Sequence, residues 1–152
     1  MDKHAHNHDH CNCNETVHLT KIRKCVYDTI VNENGPIKAY DIIERLRDAD
    51  LKLTPATIYR SLDYLIEKGL IHKINALNAF VSCTCDNHNH EHKTSLMLIC
   101  SKCHRAQEIL DSELCDSIHE HIFKHGMVLE HNCIEVQGIC SDCQSAEPHA
   151  DD

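Results

Sequence analysis

Ile99-Cys100-Ser101-Lys102-Cys103 and its echo, Ile139-Cys140-Ser141-Asp142-Cys143, decide how the second half of this chain is held together. Each is a Cys-x-x-Cys pair entered from an apolar residue, and a helix-sized insert separates the two. Four thiolates at that spacing can converge on one tetrahedral ion at about 2.3 Å per Zn–S bond. Cys100, Cys103, Cys140 and Cys143 are therefore read as a closed, structural zinc site. Two readings compete with it. A redox dithiol explains one pair and leaves the other idle, and a disulfide framework needs an oxidising compartment.

Composition outside these pairs points the same way. Eleven cysteines and fifteen histidines in 152 residues favour metal ligation, and an odd cysteine count cannot pair completely within one chain. No apolar run is long enough to span a bilayer, and histidines stand at the N-terminus where a signal peptide carries an apolar core. The expectation is a soluble, cytoplasmic protein with no membrane partner. One domain or two small ones fit the length, and a zinc site is the staple that small domains need. The net charge of −9 argues against nucleic acid until it is divided: residues 16–75 hold ten Lys and Arg against eight Asp and Glu, and the remainder holds five against sixteen. The acidity belongs to the second half and the tails, so charge neither excludes nor requires a DNA partner for the first half.

Residues 1–15 begin MDKHAHNHDHCNCN, with histidine at 4, 6, 8 and 10 and cysteine at 11 and 13. Nothing there builds a core, and the tract reads as a disordered tail, either a loose sink for zinc, nickel or copper or a solvated segment with no defined role. From Thr16 to Glu33, Leu19, Ile22, Val26 and Ile30 recur at helical spacing, and Asn34-Gly35-Pro36 ends the pattern. A short amphipathic helix follows over Ala39 to Asp48, with Ile42, Ile43 and Leu46 inward. Thr54-Pro55 then sets an N-cap threonine before a proline at the first helical position. The third helix carries an Ile58, Leu62, Leu65, Ile66 stripe, with Thr57, Tyr59, Arg60 and Asp63 on other faces, and Gly69 closes it. Two strand-like runs, Leu70 to Ile74 and Ala79 to Cys83, flank Asn75 to Asn78.

Three helices and a hairpin make a winged helix-turn-helix over residues 16–83, whose last helix enters the major groove of double-stranded DNA. A small helical domain without a DNA partner is the plainer alternative. Residues 84–94 contain DNHNHEHK and form a hinge loop. The rest, 95–145, is a compact α+β unit: strands at Ser95 to Ile99, Ala106 to Leu110 and His131 to Ile139, and a helix over Ser112 to His125 with Leu114, Ile118 and Ile122 inward. Its size makes it a candidate for dimerisation, and 146–152 is a tail. The fold class is α+β.

Thr54 to Leu62, reading TPATIYRSL, resembles the recognition-helix signature of the ferric-uptake-regulator superfamily, and the two Cys pairs resemble its structural zinc site. Ala39-Tyr40-Asp41, Gly69 to Lys73, Phe80 to Cys83 and His131 to Glu135 are most similar to the zinc uptake regulator branch. The resemblance spans residues 16 to 145. It implies a homodimer that binds operator DNA when zinc is replete and represses zinc-import genes, with no catalytic residues. It also implies a regulatory zinc site between the two units: His72, Cys83, Glu108 and a loop histidine, taken as His92 with His90 as the alternative and His88 a third candidate. Cys83 suits tetrahedral zinc, since iron or manganese sensing favours a carboxylate at that place. Singly, His72 reads as a surface wing residue, Cys83 as a small buried hydrophobe and Glu108 as a solvated charge.

Cys115 and His119, one helical turn apart, form with His131 a candidate additional metal site. Cys25 and Cys133 read as core residues. For DNA, Thr57, Tyr59 and Arg60 face the groove, Arg60 reaching a phosphate or a guanine edge, and Lys38 and Lys73 contact the backbone. Three rivals stand beside this reading: a sensor of iron, manganese, nickel or peroxide; a zinc buffer or metallochaperone; and an enzyme. The last lacks support, because a zinc deaminase needs His-x-Glu and Pro-Cys-x-x-Cys, and no proline precedes either Cys pair.

Overall fold

A computed structural model describes residues 17–48, 53–84, 94–130 and 133–146. The His/Cys tract at the N-terminus and the His-rich loop lie outside these residues.

The first half is built from α1 (Lys21–Val31), α2 (Ala39–Leu46) and α3 (Pro55–Glu67), followed by an antiparallel hairpin of β1 (Ile71–Ile74) and β2 (Ala79–Ser82). Helix α1 is shorter than its apolar periodicity suggests. The Thr20 side chain accepts from the Arg23 N–H and starts the helix there, and Asn32 rather than the Gly35 region caps its end. Beyond the helix, Ile37 forms an isolated antiparallel bridge to Phe80 and lies as a one-residue third strand beside β2 of the wing. In α3 the expected caps are in place. Thr54 accepts from Thr57 N–H, and the C-terminal end closes with Gly69 N–H on Ile66 O and Leu70 N–H on Leu65 O, both 2.9 Å. Gly69 has φ 68°, the left-handed conformation such a cap needs, and the residues it brings together, Leu65 and Leu70, are both buried.

Val26, Ile30, Ile42, Ile58, Leu62, Leu65 and Ile71 form the core of this half, with Cys25 packed at its edge as the helical spacing implies. Thr54→Ala removes the side-chain acceptor at the start of α3 without touching that core. We expect it to lower stability by about 1 kcal/mol, read by thermal or urea unfolding.

The second half is a three-stranded sheet in the order β4-β3-β5, formed by β3 (Ser95–Cys100), β4 (Ala106–Ile109) and β5 (Cys133–Gly138), with α4 (Ser112–Lys124) between β4 and β5. A five-residue helix, α5 (Ser141–Ser145), follows β5 and was not legible from periodicity. β4 runs antiparallel to β3, but β5 runs parallel to it. Helix α4 is rotated from expectation. Cys115 is 2% exposed, Ile118 and Ile122 are half-buried, and Leu114 is 42% exposed. The buried stripe thus runs through Cys115 and Ile122, with Leu114 and Phe123 on its flanks. No helix among the described residues is long and apolar enough to cross a membrane.

Candidate metal centres

The parallel pairing of β3 and β5 brings the two Cys pairs together. Register sets Cys100 opposite Gly138, so both strands run out at the same end of the sheet and each turns directly into its Cys-x-x-Cys. Ser101 N–H donates to Gly138 O at 2.9 Å and ties the two turns. Cys140 is the N-cap of α5, and Cys143 is carried one turn along it. The four sulfurs lie within 4.8 Å of one another, and Cys103 Sγ and Cys140 Sγ are 3.7 Å apart. Ligands about 2.3 Å from a tetrahedral centre are separated by about 3.8 Å, so the spacing fits zinc and is far too long for an S–S bond of about 2.05 Å. None of the described cysteines is in a disulfide.

The electrostatics fit a dication as well. Backbone N–H groups of Cys103, Cys140 and Lys102 point at Cys100 and lower its thiol to about 5, the Cys140 N–H lying 3.4 Å from its sulfur. Cys143 is pushed up to about 12, first by hydrogen bonding to Cys140 and then by burial and the other sulfurs. Fixed amide dipoles stabilise the Cys100 thiolate, but Cys143, crowded by its neighbours, resists losing its proton until a cation supplies the opposite charge. Arg105 and Asp142, one from each turn, form an ion pair of 2.8 Å across the outside.

The first turn contains a conformational fault. His104 follows Cys103 at φ 59°, a left-handed conformation that costs a residue with a Cβ roughly 1–2 kcal/mol. We expect His104→Gly to raise the melting temperature of the zinc-loaded protein by a few degrees, equivalent to somewhat under 1 kcal/mol after glycine's own entropy is counted.

A second set gathers where the wing meets the sheet. His72 on β1, Cys83 just after β2 and Glu108 on β4 bring one ligand atom each within 4.8 Å of the others. Cys83 Sγ is 3.8 Å from Glu108 Oε2. His72 Nε2 and Glu108 Oε1 stand 2.9 Å apart, within ion-pair distance, yet neither makes a directed hydrogen bond and both atoms are buried. Buried polar atoms that face a common point without satisfying each other fit donors aimed at an ion. Burial pushes the Glu108 carboxyl up, but the His72 ring beside it and two donors from Thr84 outweigh this and hold it at about 2. The carboxylate is therefore ionised and ready to ligate. Thr84 N–H and Oγ1 lie 3.1 and 3.0 Å from Glu108 Oε2. Thr84 was missed from sequence, where its one signal was its place next to Cys83.

The loop candidates His92, His90 and His88, and likewise His131, lie outside the described residues. Cys115 is buried and His119 exposed, and no third described ligand joins them; burial, then Asp111 and Asp116, raise the Cys115 thiol. Cys133 is half-buried against Ile74, Met97 and Ile99, and burial raises its thiol too.

On α3, Tyr59 and Arg60 are exposed, and Thr57 is half-buried with its hydroxyl 2.9 Å from that of Thr54. Lys38 and Lys73 are also exposed. Tyr40 on α2 is 63% exposed, and its hydroxyl donates to Glu44 at 2.7 Å.

Residues 14–137 match the Ferric uptake regulator family. The chain belongs to that family. The zinc uptake regulation protein of Escherichia coli K12 is 37% identical over 132 residues, covering 86% of this chain and 75% of that protein. Two solved structures of the family align with a TM-score of 0.74. One, described as a zinc uptake regulator complexed with zinc and DNA, is 35% identical and covers 86% of each chain. The other, described as holo XcZur, is 34% identical and covers 86% of this chain and 89% of that one. Family membership makes this chain a regulator rather than an enzyme.

Proposed function

We propose that the chain is a zinc-responsive transcriptional repressor of the cytoplasm, which binds operator DNA as a homodimer when zinc-loaded and silences zinc-uptake genes. The observation that carries this reading is the His72, Cys83 and Glu108 set, because it draws ligands from the wing and from the sheet into one place. A thiolate beside an imidazole and a carboxylate suits tetrahedral zinc better than iron or manganese. Similarity to zinc uptake regulators, one of them described in complex with zinc and DNA, supports the same conclusion.

In this reading residues 16–83 bind DNA, 84–94 are the hinge, and 95–145 dimerise and hold metal. Cys100, Cys103, Cys140 and Cys143 hold structural zinc. His72, Cys83, Glu108 and His92, or His90 in its place, hold regulatory zinc, with Cys115, His119 and His131 as a further candidate set. A zinc ion at the regulatory site supplies a crosslink between wing and sheet. The chain's own part is to bring its ligands there in the right ionisation state, Glu108 already charged and Cys83 giving up its proton. With the wing fixed, two copies of α3 present Tyr59 and Arg60 to successive major grooves about 34–36 Å apart, and Thr57, Lys38 and Lys73 support that contact. Leu98 and its register partner Val136, together with Leu110, Phe123, Met127 and Val128, are exposed apolar side chains of the second half, which a second copy would cover.

The test is binding of the purified protein to a palindromic operator under buffered free zinc, with iron(II) and manganese(II) run in parallel. Binding that appears only with zinc, once the structural ion is in place, is expected. Metal-independent binding, or a response to iron alone, would overturn the assignment.

A further inference from the structure

The sheet turns one row of side chains toward the wing, and the row grips it at both ends. Register pairs Met97 with Glu108 on β4 and with Glu135 on β5, so the three stand side by side on one face. Each meets a different point of the wing. Glu108 lies against His72, and Met97 shares a buried cluster with Ile74. Glu135 accepts from two backbone groups, Asn75 N–H at 2.6 Å and Ala76 N–H at 2.9 Å, one on each carboxylate oxygen. β1 therefore crosses the three strands along this row. The distances agree: two strand spacings are about 10 Å, and so are the three residues of strand from His72 to Asn75.

The candidate metal set uses Glu108 but leaves Glu135 without a role. Asn75 and Ala76 open the one-turn 3₁₀ helix at the tip of the hairpin (Asn75–Leu77), and the first N–H groups of a helix have no partner within it. Ile74, at the N-cap, has no side-chain acceptor to offer. Glu135 fills that place from 60 residues away in sequence, and its negative charge sits where the helix end is positive.

We propose that Glu135 is a positioning residue, a metal-independent latch that holds the wing tip on the sheet so that His72 and Cys83 meet Glu108 already aligned. The proposal rests on the reading that the joint between wing and sheet is the zinc-responsive one. Part of the ordering that zinc binding would otherwise have to impose is then in place beforehand, and the apparent zinc affinity is higher for it.

The experiment uses the full chain with its four-cysteine site zinc-loaded and follows amide hydrogen exchange at Asn75 to Leu77, together with zinc affinity at the second site by chelator competition. Glu135→Ala is expected to speed exchange at Asn75 and Ala76 and to weaken second-site zinc roughly tenfold, the scale of lost charge-assisted hydrogen bonds. Exchange in α1 to α3 and zinc at the four-cysteine site should not change, which separates a latch from general destabilisation. Glu135→Gln keeps an acceptor oxygen and should fall between. Asn75→Pro removes one donor where the preceding residue is extended, φ −95° and ψ 105°, a conformation that proline accepts. Its effect on zinc affinity should not add to that of Glu135→Ala. Unchanged exchange at Asn75 and Ala76 in Glu135→Ala, or unchanged zinc affinity despite faster exchange, overturns the proposal. Absence of second-site zinc in the unsubstituted protein overturns the function proposed above instead, and exchange alone then decides the latch.

Discussion

Replacing Cys140 with serine is expected to remove the tightly held zinc and to unfold the second half of the chain while the first half stays folded. The asymmetry follows from where the apolar cores lie. The larger buried cluster is formed wholly by residues of the first half, from Val26 to Phe80. The second cluster is small: Met97 and Ile99 on the sheet with Ile74 of the wing. A three-stranded sheet with so little of its own to bury depends on the metal. Zinc in small domains contributes on the order of 10 kcal/mol of folding free energy, as much as the whole stability of an ordinary domain. Serine offers a neutral oxygen in place of a thiolate and leaves three of the four sulfurs that a closed tetrahedral zinc site needs. The measurements are metal content per chain and limited proteolysis. Expected are loss of about one zinc per chain, the stoichiometry of a closed four-ligand site, and cleavage confined to positions beyond Thr84, with a protected fragment holding α1 to α3. Full zinc content with an unaltered digest would refute the assignment of the four cysteines.

The second large effect belongs to Cys83→Ser. This variant should fold, keep the structural zinc and lose its zinc-dependent binding to DNA. Supporting residues around a metal site change affinity by about 10–100-fold, and a direct ligand should exceed that, so the free zinc needed for half-maximal binding should rise at least about a hundredfold. The geometry explains the severity. Cys83 Sγ lies 3.8 Å from Glu108 Oε2, and the carboxylate's other neighbours, Thr84 on that oxygen and His72 beside Oε1, stay in place when the thiol is gone. The site keeps its carboxylate and imidazole but loses the donor that selects zinc over harder ions. Cys25→Ala is the control, because Cys25 packs at the edge of the first-half core and belongs to neither ligand group among the described residues. It should cost some stability and leave the zinc response intact. A Cys83→Ser protein that still responds to zinc would return Cys83 to a packing role.

Those two outcomes, with the capping, His104 and Glu135 variants, test different ranges of the same chain. Whatever acts over a few residues was readable from the amino-acid order. Thr54 and Pro55 start α3 and Gly69 ends it, because capping and left-handed backbone are local chemistry. The Val26 and Ile30 pair and the Ile58, Leu62 and Leu65 stripe identify helices and their buried faces by period alone. The paired Cys-x-x-Cys spacing singles out four cysteines as candidate ligands, and the fold brings their sulfurs within 4.8 Å of one another. His72, Cys83 and Glu108 were legible only through resemblance to a family, since each has an ordinary reading when taken singly.

Everything that depends on register between distant segments waited for the folded chain. Local pattern placed Leu114 inward on α4, but burial there is set by how the helix lies on its neighbours, and Cys115 took the buried position. No local signal says that β5 runs parallel to β3 with Cys100 opposite Gly138, and it is this pairing that makes four cysteines one site. The same sheet sets Glu108 and Glu135 in one row with Met97, and so places one carboxylate against His72 and the other under the wing tip. A strand's partners and their offset are fixed by the summed pairing of whole segments far apart in the chain. Short windows of sequence do not contain that information, and the joint between wing and sheet is built from it.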